Sequence, residues 1–218
     1  MTTFVLLPGA GGDASYWDRV VPLLREAGHQ TIAVTLPGDD VTAGLEQYAQ
    51  LVVDAAQGRP SLALVAQSLG GFTAAMVAER LPVDDLVFVN AMIPLPNETP
   101  GEWWGATGAV EAREAAASSG GYGPFDVTTY FLHDVDTAGL TADQHDEAET
   151  VFSSRCTFTA LPGVPVRVLV GADDRFFPVD FQCRVAAERL GVTADVRPGG
   201  HLIALARPQV VADYLLGA

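Results

Sequence analysis

A chain of 218 residues that is 49% hydrophobic and 18% charged has the composition of a folded domain with one sizeable core, which excludes a disordered segment. Lys and Arg number 12 against 27 Asp and Glu, a formal charge of −15; that field repels nucleic-acid phosphates and anionic headgroups, and no basic patch offsets it. Every basic residue is Arg, which excludes Schiff-base chemistry, a P-loop lysine and a lysine general base.

Residues 4–7 read as a buried strand, followed by the Gly-rich turn Gly9-Ala10-Gly11-Gly12. Ser15 is placed to cap a helix carrying Trp17, Val20, Val21 and Leu24 on one face and stopping at Gly28. Residues 31–36 form the second predicted strand, ended by Pro37-Gly38, and 45–56 show helical spacing through Tyr48, Leu51 and Val52. A third strand over 61–66 turns tightly into a helix over 69–81 that stops at Pro82, and 86–90 is a fourth strand. Strands alternating with helices at this spacing predict right-handed βαβ units: a mostly parallel sheet with helices on both faces. The strands are almost continuously apolar, as burial of both sheet faces requires.

Between Asn90 and Val166 the rhythm breaks. Pro94, Pro96 and Pro100 punctuate a loop that reaches Trp103-Trp104, and helical stretches follow at 109–118, 125–132 and 141–154, the last opened by a capping box of Thr141 with Gln144. The sheet pattern then resumes with a strand at 166–170, a helix at 179–190, a strand at 193–196 and a closing helix at 207–216. The expected organisation is one domain, 1–218, with a helical lid inserted over 94–160. Cys156 and Cys183 lack metal-ligand spacing and read as ordinary thiols. No apolar run reaches the ~18 residues of a membrane span, and no charged segment precedes a hydrophobic stretch at the start, so a cytoplasmic protein without a signal peptide is expected.

Ala66-Gln67-Ser68-Leu69-Gly70-Gly71 lies where the third strand turns into a helix. It approximates G-x-S-x-G, with Ala66 for the first Gly. Such an elbow needs small flanking side chains, because a strained turn thrusts the serine out at a helix N-terminus. The amide of Leu69 then faces any oxyanion formed beside Ser68. Serine needs a base. Of the four histidines, His29 reads as surface and His133 and His145 as polar lid positions. His201, in Pro198-Gly199-Gly200-His201 after the last strand, is placed to return over the sheet edge towards Ser68. Asp173 and Asp174 follow the 166–170 strand, and spacing alone does not separate them as the acid. The turn after the first strand, at Gly9 and Ala10, supplies a second oxyanion donor. It is not a dinucleotide site: G-x-G-x-x-G fails at Ala14, and no acid ends the second strand.

On the stretches FVLLPGAGGDASYWDRVVPLLREAGH, LVAQSLGGF, VGADDRFFPVDFQ and PGGHLIAL, the chain resembles the α/β-hydrolases over nearly its whole length, without that fold's two leading antiparallel strands. Within them it is similar to the small plant methylesterase and hydroxynitrile-lyase group and its bacterial relatives. The resemblance implies Ser68 as nucleophile, His201 as base, Asp174 as acid, four residues before Pro178, and the amides of Ala10 and Leu69 as oxyanion hole. Pro8 replaces the group's usual His before the oxyanion Gly. The plant lyases carry Thr at the Gly9 position and Lys where this chain has Leu202, so the resemblance implies ester hydrolysis over that lyase chemistry. Ser68 argues against the carboxylate nucleophile of dehalogenases and epoxide hydrolases.

The expected function is hydrolysis of a small apolar or aromatic ester through an acyl-enzyme. No cofactor, metal, nucleic-acid or membrane partner is expected, and the protein is read as a monomer or homodimer. Gly9, Trp103, Trp104, Phe125, Tyr130, Phe131 and Leu202 are the candidate pocket residues. The alternatives are a ligand sensor of the same fold with little turnover, and a lyase-type enzyme reusing the triad.

Overall fold

Six strands form one parallel sheet in the computed structural model, which describes residues 1–138 and 146–217. They are β1 (Thr3–Leu7), β2 (Gln30–Ala33), β3 (Leu62–Gln67), β4 (Val83–Val89), β5 (Val166–Gly171) and β6 (Asp195–Arg197), in spatial order β2-β1-β3-β4-β5-β6. The chain steps outward from β1 to β2, then crosses back to lay β3 on the other side of β1, with Leu6 opposite Val65. The strand order therefore reverses between β1 and β3. In open parallel sheets the crevice beyond the strands' carboxyl ends at such a point is where ligands bind.

Alternation along each strand feeds two cores. Val5 and Leu7 of β1, Leu64 and Ala66 of β3, Phe88 of β4 and Val168 of β5 face α2 (Leu45–Ala56), α3 (Gly70–Arg80) and α8 (Val179–Leu190). Their neighbours Phe4, Leu6, Val65, Val87 and Leu169 pack on the other face with Trp17, Leu24 of α1 (Val21–Glu26), α9 (Ile203–Ala206) and α10 (Pro208–Leu216). Burial of both faces explains the unbroken apolar runs.

Among the described residues, four helices lie between β4 and β5: α4 (Pro100–Thr107), α5 (Ala109–Gly120), α6 (Val127–Tyr130) and α7 (Glu149–Ser153). The root of this insertion is tied to α8 by a buried ion pair of Arg189 with Glu98, Arg189 also donating to the Ile93 carbonyl at 2.8 Å. Trp103-Trp104 belongs to a helix and not to the expected loop. Thr99 and Glu102 make a capping box and Pro100 occupies the first turn, where its missing N–H costs nothing. The helix expected over 125–132 is the single turn α6, started by the Asp126 side chain on Thr129 N. The first predicted helix is broken: a 3-10 turn at Ala14–Trp17, capped by Asp13 and not by Ser15, precedes α1. Strand β2 ends at Ala33, short of the expected 36, and β6 is shifted to Asp195–Arg197. The capping box at Thr141 and Gln144, with His145, lies outside the described residues; the described part of the helix expected over 141–154 carries α7.

Cys156 and Cys183 are free thiols; burial pushes the Cys156 thiol up to about 12, and it donates to the Phe72 carbonyl. Among the described residues no helix is long and apolar enough to cross a membrane, and no group of three His, Cys, Asp or Glu could hold a metal ion.

Candidate active site

Every chemistry-bearing residue of the crevice sits just past the carboxyl end of a strand. After β3, Ser68 takes the left-handed conformation, φ 49°, which for a non-glycine residue costs about 1–3 kcal/mol and persists only when surroundings enforce it. Here Met92 N donates to the Ser68 carbonyl at 2.9 Å. The elbow also demands glycine behind it, since a Cβ at Gly71 would stand 2.0 Å from the Met92 carbonyl oxygen. Ala66 is fully buried, and its methyl is absorbed by the α2/α3 core.

Beyond β6, His201 lies with Nε2 3.3 Å from Ser68 Oγ and Nδ1 2.8 Å from Asp174 Oδ2. The imidazole is 2% exposed and the serine 8%. Asp174 Oδ1 accepts from the amides of Phe176 and Phe177, both at 2.8 Å, and Oδ2 accepts from Gln182 Nε2 at 3.1 Å. With its acceptor sites engaged, this carboxylate holds the imidazole's Nδ1–H and leaves Nε2 to accept from Ser68. Its neighbour Asp173 is exposed and does something else: Oδ2 accepts from Gly199 N at 3.0 Å, clipping the loop that delivers His201.

The turn after β1 meets the elbow at Gly9, and the amides of Ala10 and Leu69 have no hydrogen-bond acceptor among the described residues. Gly9 packs on the elbow so closely that a Cβ would lie 2.4 Å from Gln67 Oε1 and 2.8 Å from Ser68 Cβ. Glu147 braces the same turn, Oε2 accepting from Gly11 N at 2.7 Å and Oε1 from the Tyr48 hydroxyl at 2.6 Å. Burial raises the Glu147 carboxyl above the ordinary glutamate range, against lowering by those two bonds. Burial first, then the hydrogen bond its hydroxyl donates to Glu147, keeps Tyr48 protonated far above its usual value.

Aromatic rings enclose the imidazole. Phe131 stacks on it at 5.1 Å, while Phe176 and Phe177 meet it edge-on at 5.0 and 5.1 Å. Phe125 and Trp104 extend the cluster through Phe176, at 5.5 and 5.6 Å. Trp103 and Tyr130 are anchors: both are buried, Trp103 Nε1 donating to the Ile93 carbonyl and the Tyr130 hydroxyl to that of Gly123. Leu202 packs with the second core. His133, read as a polar lid position, is half-buried, its Nε2 without a hydrogen bond among the described residues and 4.0 Å from Asp134 Oδ1.

Sequence reasoning passed over five supports. Gln67 Nε2 lies 3.3 Å from His201 Nε2. Asn90, at φ 46°, and Gln182 are buried polar residues among apolar neighbours, a pattern that itself marks a hydrogen-bonding duty. Phe176 and Phe177 lie two and three residues after Asp174.

The family model described as alpha/beta hydrolase family matches residues 4–214. The probable esterase PIR7A of Oryza sativa subsp. indica is 38% identical over 103 residues, 42% of this chain and 39% of that protein. Methylesterase 3 of Arabidopsis thaliana is 32% identical over 123 residues, 50% of this chain and 47% of that protein. These matches span less than half of either relative's length. Among solved structures, polyneuridine aldehyde esterase superposes with a TM-score of 0.79 at 19% identity, covering 100% of this chain and 98% of its own, a likeness of fold.

Proposed function

The chain belongs to the alpha/beta hydrolase family, and we propose that it hydrolyses a small, apolar or aromatic carboxylic ester through an acyl-enzyme on Ser68. The observation that carries this reading is the relay Ser68 Oγ, His201 Nε2, His201 Nδ1, Asp174 Oδ2, spaced 3.3 and 2.8 Å, at the point where the strand order reverses. Ser68 Oγ attacks the ester carbon while its proton passes to Nε2, and Asp174 stabilises the imidazolium. The carbonyl oxygen becomes an oxyanion that accepts from the amides of Ala10 and Leu69; each such donor is worth about 2.7–4 kcal/mol in the transition state. Collapse breaks the bond to the alcohol, which leaves with the Nε2 proton. Water then gives a proton to Nε2 as its oxygen attacks the acyl carbon, and the acid departs as Ser68 regains its hydrogen. The rings of Phe131, Phe176 and Phe177 suit an apolar acyl or alcohol group. Helices α4–α7 serve as the lid over this site.

Gly9 supports hydrolysis over lyase chemistry. Where the plant lyases carry a threonine, Gln67 and Ser68 here leave no space for even a methyl.

Intact-mass labelling with a fluorophosphonate, with turnover of short aryl esters, tests the assignment. A single adduct lost in Ser68→Ala and slowed in His201→Ala, with steady turnover, is expected. Asp174→Asn should lower kcat about 10³–10⁴-fold by spoiling the imidazole tautomer, while Asp173→Asn lowers it far less. Equal losses at the two aspartates, or no adduct on folded protein, would overturn the reading. Labelling without turnover would leave the sensor.

A further inference from the structure

Arg113, on α5, differs in its surroundings from most of the chain's arginines. Arg80, Arg155, Arg167, Arg184 and Arg189 each hold a carboxylate. Arg113 is half-buried, and its guanidinium makes no hydrogen bond or ion pair among the described residues. It lies instead over three rings: Phe176 at 5.2 Å, Phe125 at 5.5 Å and Trp104 at 5.7 Å. Phe176 in turn touches the His201 imidazole at 5.0 Å, so one ring separates the cation from the candidate base.

The ring cluster has a direction. At one end Phe177 is fully buried against His201; at the other Phe125 is 46% exposed. Arg113 stands at the open end. A cation held over rings spends none of the guanidinium's five N–H donors in a hydrogen bond. A planar fork of unengaged donors beside aromatic rings is suited to take a carboxylate in two parallel bonds. In a chain of charge −15, it is a local exception to a field that repels anions.

We propose that Arg113 is a specificity residue that receives a carboxylate carried by the substrate away from the scissile bond. The preferred substrates are then esters bearing one free carboxylate, with apolar atoms between it and the ester lying along Phe131 and Phe176. This rests on the hydrolase reading and narrows its substrate class.

Two substrate series test it and separate the carboxylate's possible locations. Monomethyl esters of linear diacids place it on the acyl side; O-acetyl ω-hydroxy acids place it on the alcohol side. Each is compared with the neutral ester of equal length. At one chain length in one series, kcat/KM for the carboxylated member should exceed that of its neutral counterpart by about ten- to a hundred-fold, mainly through KM. In Arg113→Met that ratio should collapse to near one, and Arg113→Lys should restore part of it. A ratio near one in the wild type at every length in both series overturns the proposal. So does a ratio that survives in Arg113→Met, or a mutant that slows both members equally and melts earlier, which is the signature of a lid anchor. Calorimetry of the same carboxylated esters with Ser68→Ala, with and without Arg113→Met, reads the ion pair without turnover. A protein that binds them through Arg113 yet cleaves nothing refutes the hydrolase reading alone; binding indifferent to Arg113 refutes the specificity role alone.

Discussion

Asn90 holds the backbone of His201 from beneath. Its Nδ2 donates to the carbonyls of Gly200 at 2.9 Å and His201 at 3.0 Å, and its Oδ1 accepts from Gly171 N at 2.7 Å. One side chain at the end of β4 thus joins the end of β5, which leads to Asp174, to the loop that carries the imidazole. It touches no reacting atom and acts as a positioning residue.

Asn90→Ala takes a buried partner from the Gly171 amide and the Gly200 carbonyl, while the His201 carbonyl keeps Gln67 Nε2 at 3.4 Å, a loss of about 3 kcal/mol. It also frees the His201 loop, and a misplacement of about 1 Å is worth a factor of ~10² in rate. The informative variant is Asn90→Asp, which tolerates the left-handed backbone and still accepts from Gly171 N but cannot donate to the two carbonyls. Both variants should lower kcat and the fluorophosphonate labelling rate about ten- to a hundred-fold with little change in KM. A loss of stability in urea with unchanged labelling would show that Asn90 serves only the fold.

How far this arrangement could be read from the chain depends on the range of the contacts. Helices α2 and α8 were legible to their ends because their apolar positions repeat at helical spacing, and Ser68 because a small-residue elbow is a local pattern. The helix at Trp103-Trp104 was hidden by the prolines around it, although Thr99 and Glu102 supply a start signal. Asn90, Gln67 and Arg113 gave no local sign of their duties. Asn90 meets residues 81 and 111 positions away, and Gln67 meets His201 134 positions away. The order of Asp173 and Asp174 likewise depended on which side chain faces inward.

Gly9 and Gln67 make a second testable contact. Alanine at position 9 meets Gln67 Oε1 at 2.4 Å and Ser68 Cβ at 2.8 Å. The amide end can swing away; Ser68 cannot, because its backbone is pinned. Gly9→Ala should therefore cost about 1–3 kcal/mol through overpacking and lower kcat/KM about a hundred-fold by shifting both the serine and the Ala10 amide. Adding Gln67→Ala should recover stability more than activity. Full recovery of kcat/KM in the double variant, from steady-state kinetics on one aryl ester, would mean that the serine is not displaced.

Glu147 makes the turn after β1 sensitive to pH. Burial raises its carboxyl above the ordinary glutamate range, so the folded chain binds this proton more readily than the unfolded chain. The sign follows from linkage: its contribution to stability grows as pH falls through the raised value and is lost as pH rises above it. In Glu147→Gln every bond at the site keeps a partner. The amide oxygen accepts from Gly11 N, the amide nitrogen donates to the Tyr48 oxygen, and the Tyr48 hydroxyl donates to the Pro37 carbonyl, now 3.2 Å away. Glu147→Gln should then be at least as stable as the wild type at pH 8, with the gap closing toward pH 5 in urea denaturation. Glu147→Ala, which strands Gly11 N, should lose about 1–3 kcal/mol at both. If Glu147→Gln fell as far as Glu147→Ala at pH 8, the negative charge itself would be what holds the turn.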